Sequence, residues 1–327
     1  LNLSSGQIFE INSSREKPYV NTASVKNTGW EFMMNYRKQL TKDFHIDATF
    51  NIATLKNKVL SLGENVQPIT SGAMSSYFND AASITMPGEA IGSFYGYKID
   101  GVYASQHEIN EQGLTEVLGQ KIASIRPGDY RFRDQNGDGK ITSADLVLLG
   151  SGEPDFTGGL TNTVSYKNLS LSVAMQFSYG ATVFNANLHS LTSGRDGHNQ
   201  IAEMNTKSWS PTLYDADGNV FFAGNNEAKY RMPGGVALNY CTSKMLEDGS
   251  FLRIGDITLA YALGKKVAKK VGMQNIKLFA SVKNLCVFTK YTGFDPEVNT
   301  RQGQTGDLMP RLDVSGGCWR IASVVAR

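Results

Sequence analysis

The feature that most constrains this chain is period-two alternation, in segments of the roughly 9 to 11 residues that a membrane-crossing strand takes. Between Phe44 and Ala53 the residues Phe44, Ile46, Ala48, Phe50 and Ile52 point one way, and His45, Asp47, Thr49, Asn51 and Ala53 the other. Leu169, Leu171, Val173, Met175, Phe177 and Tyr179 alternate in the same manner with Ser170, Ser172, Ala174, Gln176 and Ser178. A helix, with its 3.6-residue period, would scramble both faces. Two further strands are predicted where Trp30, Phe32, Met34 and Tyr36 oppose Glu31, Asn35 and Arg37, and where Leu160, Val164 and Tyr166 oppose Thr161, Thr163 and Ser165. From Phe251 to Leu263 the apolar set runs Leu252, Ile254, then Ile257, Leu259, Tyr261 and Leu263, so the phase slips by one and predicts a β-bulge at Gly255 and Asp256. Ile276, Leu278, Ala280 and Val282 alternate with Lys277, Ser281 and Lys283, with Phe279 an exception, and Trp319 to Arg327 alternates poorly.

A soluble antiparallel sandwich alternates too, so connections must separate the readings. Here they fall into two classes. Gln39 to Lys42 and Lys167 to Asn168 are tight turns, whereas 58–156 and 180–250 far exceed the roughly 4 to 6 residues usual in compact domains. Short turns on one side and long loops on the other point to an all-β fold, the C-terminal part of a large antiparallel transmembrane β-barrel with short periplasmic turns and long extracellular loops. Parity then puts 58–156, Gly180 to Ser250 and Tyr291 to Leu312 outside, and Gly264 to Asn275 in the periplasm. Aromatic residues near strand ends, Trp30, Tyr36, Tyr166, Tyr179 and Tyr261, suit interfacial girdles. No run approaches the about 20 apolar residues of a transmembrane helix, an absence that a strand-built barrel shares.

Composition excludes little: 41% hydrophobic and 19% charged residues are ordinary values. A net charge of +2, without basic runs, gives no expectation of a nucleic-acid partner. Cys241, Cys286 and Cys318 are too scattered for a disulfide framework or a zinc site. The histidines, His45, His107, His189 and His198, lack metal-binding spacing, and no nucleophile elbow, phosphate loop or dinucleotide fingerprint appears. Asp100 and Glu153 carry no spacing that marks a glycosidase pair, so nothing argues for an enzyme. Leu1 to Glu10 has no signal-peptide pattern, and the chain reads as a piece of a longer protein.

One motif carries metal chemistry. Asp134 to Asp145, DQNGDGKITSAD, follows the twelve-residue calcium loop. Hard Ca²⁺ takes oxygens, which Asp134, Asn136, Asp138, the Lys140 carbonyl, Thr142 and Asp145 supply, while Gly139 allows the sharp turn. Asp145 replaces the usual Glu, and the flank Asp129 to Arg133 reads as extended rather than helical. The expectation is a structural Ca²⁺ that pins a long loop, against the plainer reading of a solvated Asn/Asp/Gly turn. A second cluster, Asp215 to Asn219, lacks the later ligands and reads as a hairpin turn.

Ile91 to Tyr103, IGSFYGYKIDGVY, resembles a block typical of the SusC/RagA outer-membrane proteins. Further blocks follow in that family's order: Arg126-Pro127-Gly128-Asp129, Pro154-Asp155-Phe156, Tyr166 to Leu171, Glu247 to Ile254 and Lys290 to Glu297. The resemblance implies an outer-membrane importer driven by the TonB complex, a plugged barrel with a SusD-like surface lipoprotein as partner, embedded in outer-membrane lipid and taking up glycan or peptide fragments. On this reading residues 1–327 are the C-terminal portion of the barrel, with plug and N-terminal strands absent. The alternative is a secreted, calcium-stabilised β-rich glycan-binding module. The chain departs from the family at its end, where Gly316 to Arg327 lacks the expected alternating strand with a terminal aromatic residue.

Overall fold

The computed structural model describes residues 23–63, 66–71, 81–193, 199–232, 240–298, 312–313 and 323–326. Seven strands form one antiparallel sheet in which each pairs with its neighbour in the series: β1 (Ser24–Gln39), β2 (Phe44–Ser61), β3 (Phe156–Tyr166), β4 (Leu169–Tyr179), β5 (Phe251–Ala262), β6 (Lys277–Thr289) and β7 (Ser323–Ala326). Among the described residues β1 and β7 are its open edges. The predicted turns are in place and bonded to one another. Leu40 N–H donates to Phe44 O, Lys167 N–H to Asp43 O, and Ala262 N–H to Asn168 O, so backbone groups at that end of the sheet are satisfied locally.

Register converts each strand's alternation into a property of the whole sheet. Phe32 faces Ile52, Met34 faces Phe50, Phe50 faces Leu160, Leu160 faces Met175, Met175 faces Ile254 and Ile254 faces Cys286. Directly paired residues project to the same side, so one face is apolar across six strands. The other face carries Glu31, Asn35, Asp47, Thr161, Ser172, Gln176, Arg253 and Lys283. The bulge falls where the phase slip put it: both neighbours of β5 shift register between Ile254 and Asp256, leaving Gly255 unpaired. Without it Ile257 and Leu259 would turn to the polar side. Asn162 is the exception on the apolar face, between Ala48 and Val173, and its Oδ1 is buried without a hydrogen-bond partner.

The long connections differ from the expectation of loops. β2 runs on to Ser61, past the expected boundary at Lys58. Beyond it, Ile69–Ser71, Ser83–Thr85, Ser93–Tyr97 and Leu146–Gly150 make a small sheet, and Ile99–Val102 pairs with Tyr130–Phe132. These strands have five residues or fewer, too short for a period to be read from sequence. The first helix, α1 (Gln106–Gln112), starts at Ser105, whose side chain accepts from Glu108 N–H, and stops at Gly113 in the left-handed conformation. Tyr103 packs beneath it, its hydroxyl bonded to Gln112, and burial pushes its phenol pKa up to about 12.

The two long segments share a core. Phe94 stacks on Phe184 at 6.0 Å, in a cluster with Ala82, Ala186, Cys241 and Met245. Tyr97 meets Phe132 and Tyr240 edge-on at 5.9 and 5.7 Å. Gly96 lets the chains approach: a Cβ there would lie 2.5 Å from the Cys241 carbonyl oxygen. Both segments leave the same end of the sheet, opposite the short turns, so this shared core stands above that end.

Gly158 is a tight point on the apolar face, where a Cβ would sit 2.3 Å from Asn51 O and 2.5 Å from Phe177 Cζ. Gly158→Val is expected to force the β2–β3 pair and the Phe177 ring apart at a cost of about 1–3 kcal/mol, lowering the urea-unfolding midpoint; an unchanged midpoint contradicts the register.

Candidate functional site

On the polar face, the strongest electrostatic feature is Arg253, whose side chain is only 4% exposed. Strand β5 carries it inward, and the segment after β6 folds back to meet it. The guanidinium donates to Asp295 Oδ1 at 2.8 Å and lies 3.2 Å from Glu297 Oε2. Gln176 Nε2 donates to Glu297 Oε1 at 3.0 Å, and Glu297 N–H donates to Asp295 Oδ1 at 2.8 Å. Arg253 also lies 5.3 Å from the Phe251 ring centre. One buried cation thereby fastens the Asp295-Pro296-Glu297 turn to strands β4 and β5.

Beside this network is an open cavity of about 780 Å³, with Glu31, Asn51, Thr157, Gln176, Ser178 and Glu297 among its lining. Gly159, on the polar face beside Asn51, leaves part of its floor without a side chain. Its hydroxyls, amides and carboxylates suit a hydrogen-bonding ligand. Nearer the short turns, Arg37 pairs with Asp47 at 2.7 Å, and Thr49 Oγ1 donates to Asn35 Oδ1 at 2.8 Å.

The twelve-residue loop is ordered by its own amides. Asp134 Oδ1 accepts from Gly137 N–H and Oδ2 from Gly139 N–H, at 2.7 and 2.9 Å, and these bonds, Gly139 first, hold its carboxyl below its ordinary pKa. Asn136 Oδ1 accepts from Asp138 N–H, and Asp138 Oδ1 from Lys140 N–H. Asp145 is fully buried, with Oδ1 accepting from Gln135 N–H and Oδ2 from Thr142 N–H, while Thr142 Oγ1 accepts from Ala144 N–H. As expected, the flank before the loop is extended (Tyr130–Phe132); a 3₁₀ turn (Ser143–Asp145) closes the loop itself, and the strand Leu146–Gly150 follows it. The donor set has the hard-oxygen chemistry that Ca²⁺ takes, arranged here as an amide-bonded turn; among the described residues no three His, Cys, Asp or Glu side chains gather as a metal-binding group.

Asp215 to Asn219 forms the hairpin turn that the sequence suggests, between Leu213–Tyr214 and Val220–Phe222, with Asp215 Oδ1 accepting from the Asp217 and Asn219 amides. Asp100 is held by Arg133 at 2.6 Å. His198, Cys318 and the segment Trp319 to Ala322 lie outside the described residues; beyond them, Ser323–Ala326 pairs with β6. Arg253, Asp295 and Glu297 carry no site motif in the sequence, although each lies in one of the family-like blocks. The available signal was an arginine alternating onto the wet side of a strand, and its partners lie more than forty positions away.

A "TonB-dependent receptor P3" of Formosa agariphila is 33% identical to this chain over 281 residues, 86% of the chain. The chain is a homologue of TonB-dependent receptors. "TonB-dependent receptor SusC" of Bacteroides thetaiotaomicron is 26% identical over 287 residues. The chain spans about a quarter of the length of these receptors, 26% and 25%. Among solved structures, "Structure of the RagAB peptide transporter" superposes with a TM-score of 0.64 at 18% identity, over 91% of this chain and 28% of that one. The RagAB peptide importer in its closed-closed state gives 0.62 at 20% identity. No family model matches the chain.

Arg253→Leu leaves Asp295 and Glu297 facing the sheet without their cation, and removing one partner of a buried pair costs roughly 3–5 kcal/mol. Limited proteolysis is expected to cut the 290–298 segment faster in this variant; equal rates in both proteins rule out the fastening role.

Proposed function

We propose that this chain is part of the wall and the outer loops of an outer-membrane importer, which takes up oligosaccharide or peptide fragments under TonB power with a SusD-like surface lipoprotein. The observation that carries the reading is the two-faced sheet, apolar on one side across six strands and polar on the other, built from strands of 11 to 18 residues. Within a bilayer every backbone polar group needs a protein partner, which an antiparallel ladder provides. On the apolar face, Trp30, Phe156 and Tyr179 fall in one row and Phe44, Tyr166 and Tyr261 in another. The rows stand about 33 Å apart along the strand at ~3.3 Å per residue, or roughly 25 Å in height once strands tilt by ~40°. That is the height of an apolar band between aromatic girdles.

The family supports the partner and the energy source, and the names of relatives support nutrient import. The cavity beside Arg253, lined by polar groups and by Met33 and Phe251, would face the lumen and touch what passes. The paired experiment uses the full-length receptor in outer membranes. Val173→Lys, on the apolar face, is expected to cost ~2–4 kcal/mol near the midplane and to deplete the heat-modifiable folded band, while Ser172→Lys is tolerated. Equal tolerance of both, with a soluble product, would instead favour the secreted glycan-binding module.

The twelve-residue loop is proposed to take a structural Ca²⁺ through Asp134, Asn136, Asp138, the Lys140 carbonyl, Thr142 and Asp145, which requires the loop amides to share those oxygens with the ion. Millimolar calcium is then expected to protect the loop from proteolysis, and Asp134→Ala to abolish that protection. Identical cleavage with calcium and with chelator dismisses the ion and leaves the turn.

A further inference from the structure

The three turns that close one end of the sheet, 40–43, 167–168 and 263–276, lie wholly among the described residues. The third holds a short helix, Lys265–Lys270, in which Ala268 is fully buried while Lys265, Lys266, Lys269 and Lys270 are exposed. Lys42 and Lys167 come from the other two turns, and Asp43 is the one acid in all three. Among the described residues the lysines in ion pairs are Lys207 and Lys229, neither of which belongs to these turns. The charge that the turns present is therefore exposed and almost entirely of one sign.

Apolar groups stand beside this charge. At about 100° per residue the four helix lysines share one side, and Val267 and Val271, one turn apart, take the neighbouring side. Val267 and Val271 are 50% and 59% exposed, and Met273 just after them is 56% exposed. An apolar edge next to a lysine face is how a helix lies in a membrane interface. The aromatic row of Phe44, Tyr166 and Tyr261 begins at the same turns, and the Lys167 ammonium stands 5.4 Å from the Tyr166 ring centre. Between turns and row is an open cavity of about 580 Å³, with Lys42, His45, Tyr166, Lys167 and Tyr261 among its lining. Ammonium groups and aromatic rings thus meet in one place, as a lipid's phosphate meets its acyl chains.

We propose that this end of the sheet docks on the anionic headgroups of the adjacent phospholipid leaflet. The lysines of the 265–270 helix spread over the headgroup plane, and Lys42 and Lys167 hold a phosphate at the open cavity. The inference rests on the barrel reading, in which the short turns lie just outside the apolar band. A polyanion free in water would satisfy the lysines but leave Val267, Val271 and Met273 in water, whereas a lipid surface accepts both. Lysine stems cover apolar surface while their ammonium groups reach the headgroups. The attraction fades within a Debye length, so it acts on the leaflet that these turns touch and fixes the depth at which the aromatic row sits.

The test uses the full-length receptor in bilayers of equimolar phosphatidylglycerol and phosphatidylcholine, extracted in mild detergent, with the retained lipid identified by mass spectrometry. Phosphatidylglycerol is expected to be retained in excess. The excess should fall about fivefold or more when Lys265, Lys266, Lys269 and Lys270 are all changed to glutamine, and by less in Lys42→Gln combined with Lys167→Gln. Arginine at the four helix positions keeps the charge and should keep the excess. All six side chains are exposed and in no ion pair, so the variants are expected to retain the heat-modifiable folded band. Lys26→Gln with Lys58→Gln, paired at the opposite end of the sheet, should leave the excess unchanged. Absence of the folded band in the wild type sinks the barrel reading and this inference with it. A folded band without phosphatidylglycerol excess, or with an excess that the glutamine variants do not alter, overturns this inference alone. Lysine-dependent sedimentation with peptidoglycan sacculi, without lipid excess, also overturns it and gives the face to the cell wall.

Discussion

The antiparallel ladder is the constraint on which the rest of this structure depends. Each long strand bonds to the next in the chain, so backbone groups are satisfied between neighbours and side chains sort to two faces with no freedom left to choose. The sheet therefore behaves as a wall with distinct sides. The bulge at Gly255 shows how strict the sorting is, since a single unpaired residue resets the phase of β5 and keeps Ile257, Leu259 and Tyr261 with the other apolar side chains.

Charge is confined in the same way. On the sheet, Arg253 lies on the polar face, where its cost of burial is offset by two carboxylates arriving from beyond β6. The interaction couples a segment that the sheet does not contain to the two strands that define its wet side. The neighbouring cavity owes its shape to this coupling and to Gly159 of β3. A rigid backdrop of strands with a fastened turn above it is a suitable arrangement for a binding surface, because the ligand need not order the groups it meets.

Above the end of the sheet opposite the short turns, the fold obeys different rules. The long segments bury aromatic residues against one another, with Phe94 on Phe184 and Tyr97 between Phe132 and Tyr240. Strands there are short, and turns, caps and side chains bond many of their backbone groups, although the Ser71 and Asn185 side chains each leave a buried oxygen without a hydrogen-bond partner among the described residues. The amide-bonded loop at Asp134 to Asp145 belongs to this region, where shape is set by contacts between distant parts of the chain.

Much of the wall was legible in the sequence. The alternation at Phe44 to Ala53 and Leu169 to Tyr179, the turns at Gln39 to Lys42 and Lys167 to Asn168, and the slip near Gly255 are local properties, because a strand's two faces are encoded by adjacent residues. The Asp215 to Asn219 turn and the extended flank of the Asp134 loop were local as well. The interior of the long segments was not, since strands of two to five residues carry no readable period and their partners lie far along the chain. Nor was the pairing of Arg253 with Asp295 and Glu297. Sequence by itself determined which side of each strand is wet, because that follows from a period of two. Only the tertiary structure decided which charges meet, because ion pairs and cavities form between residues whose separation along the chain says nothing about their distance in space.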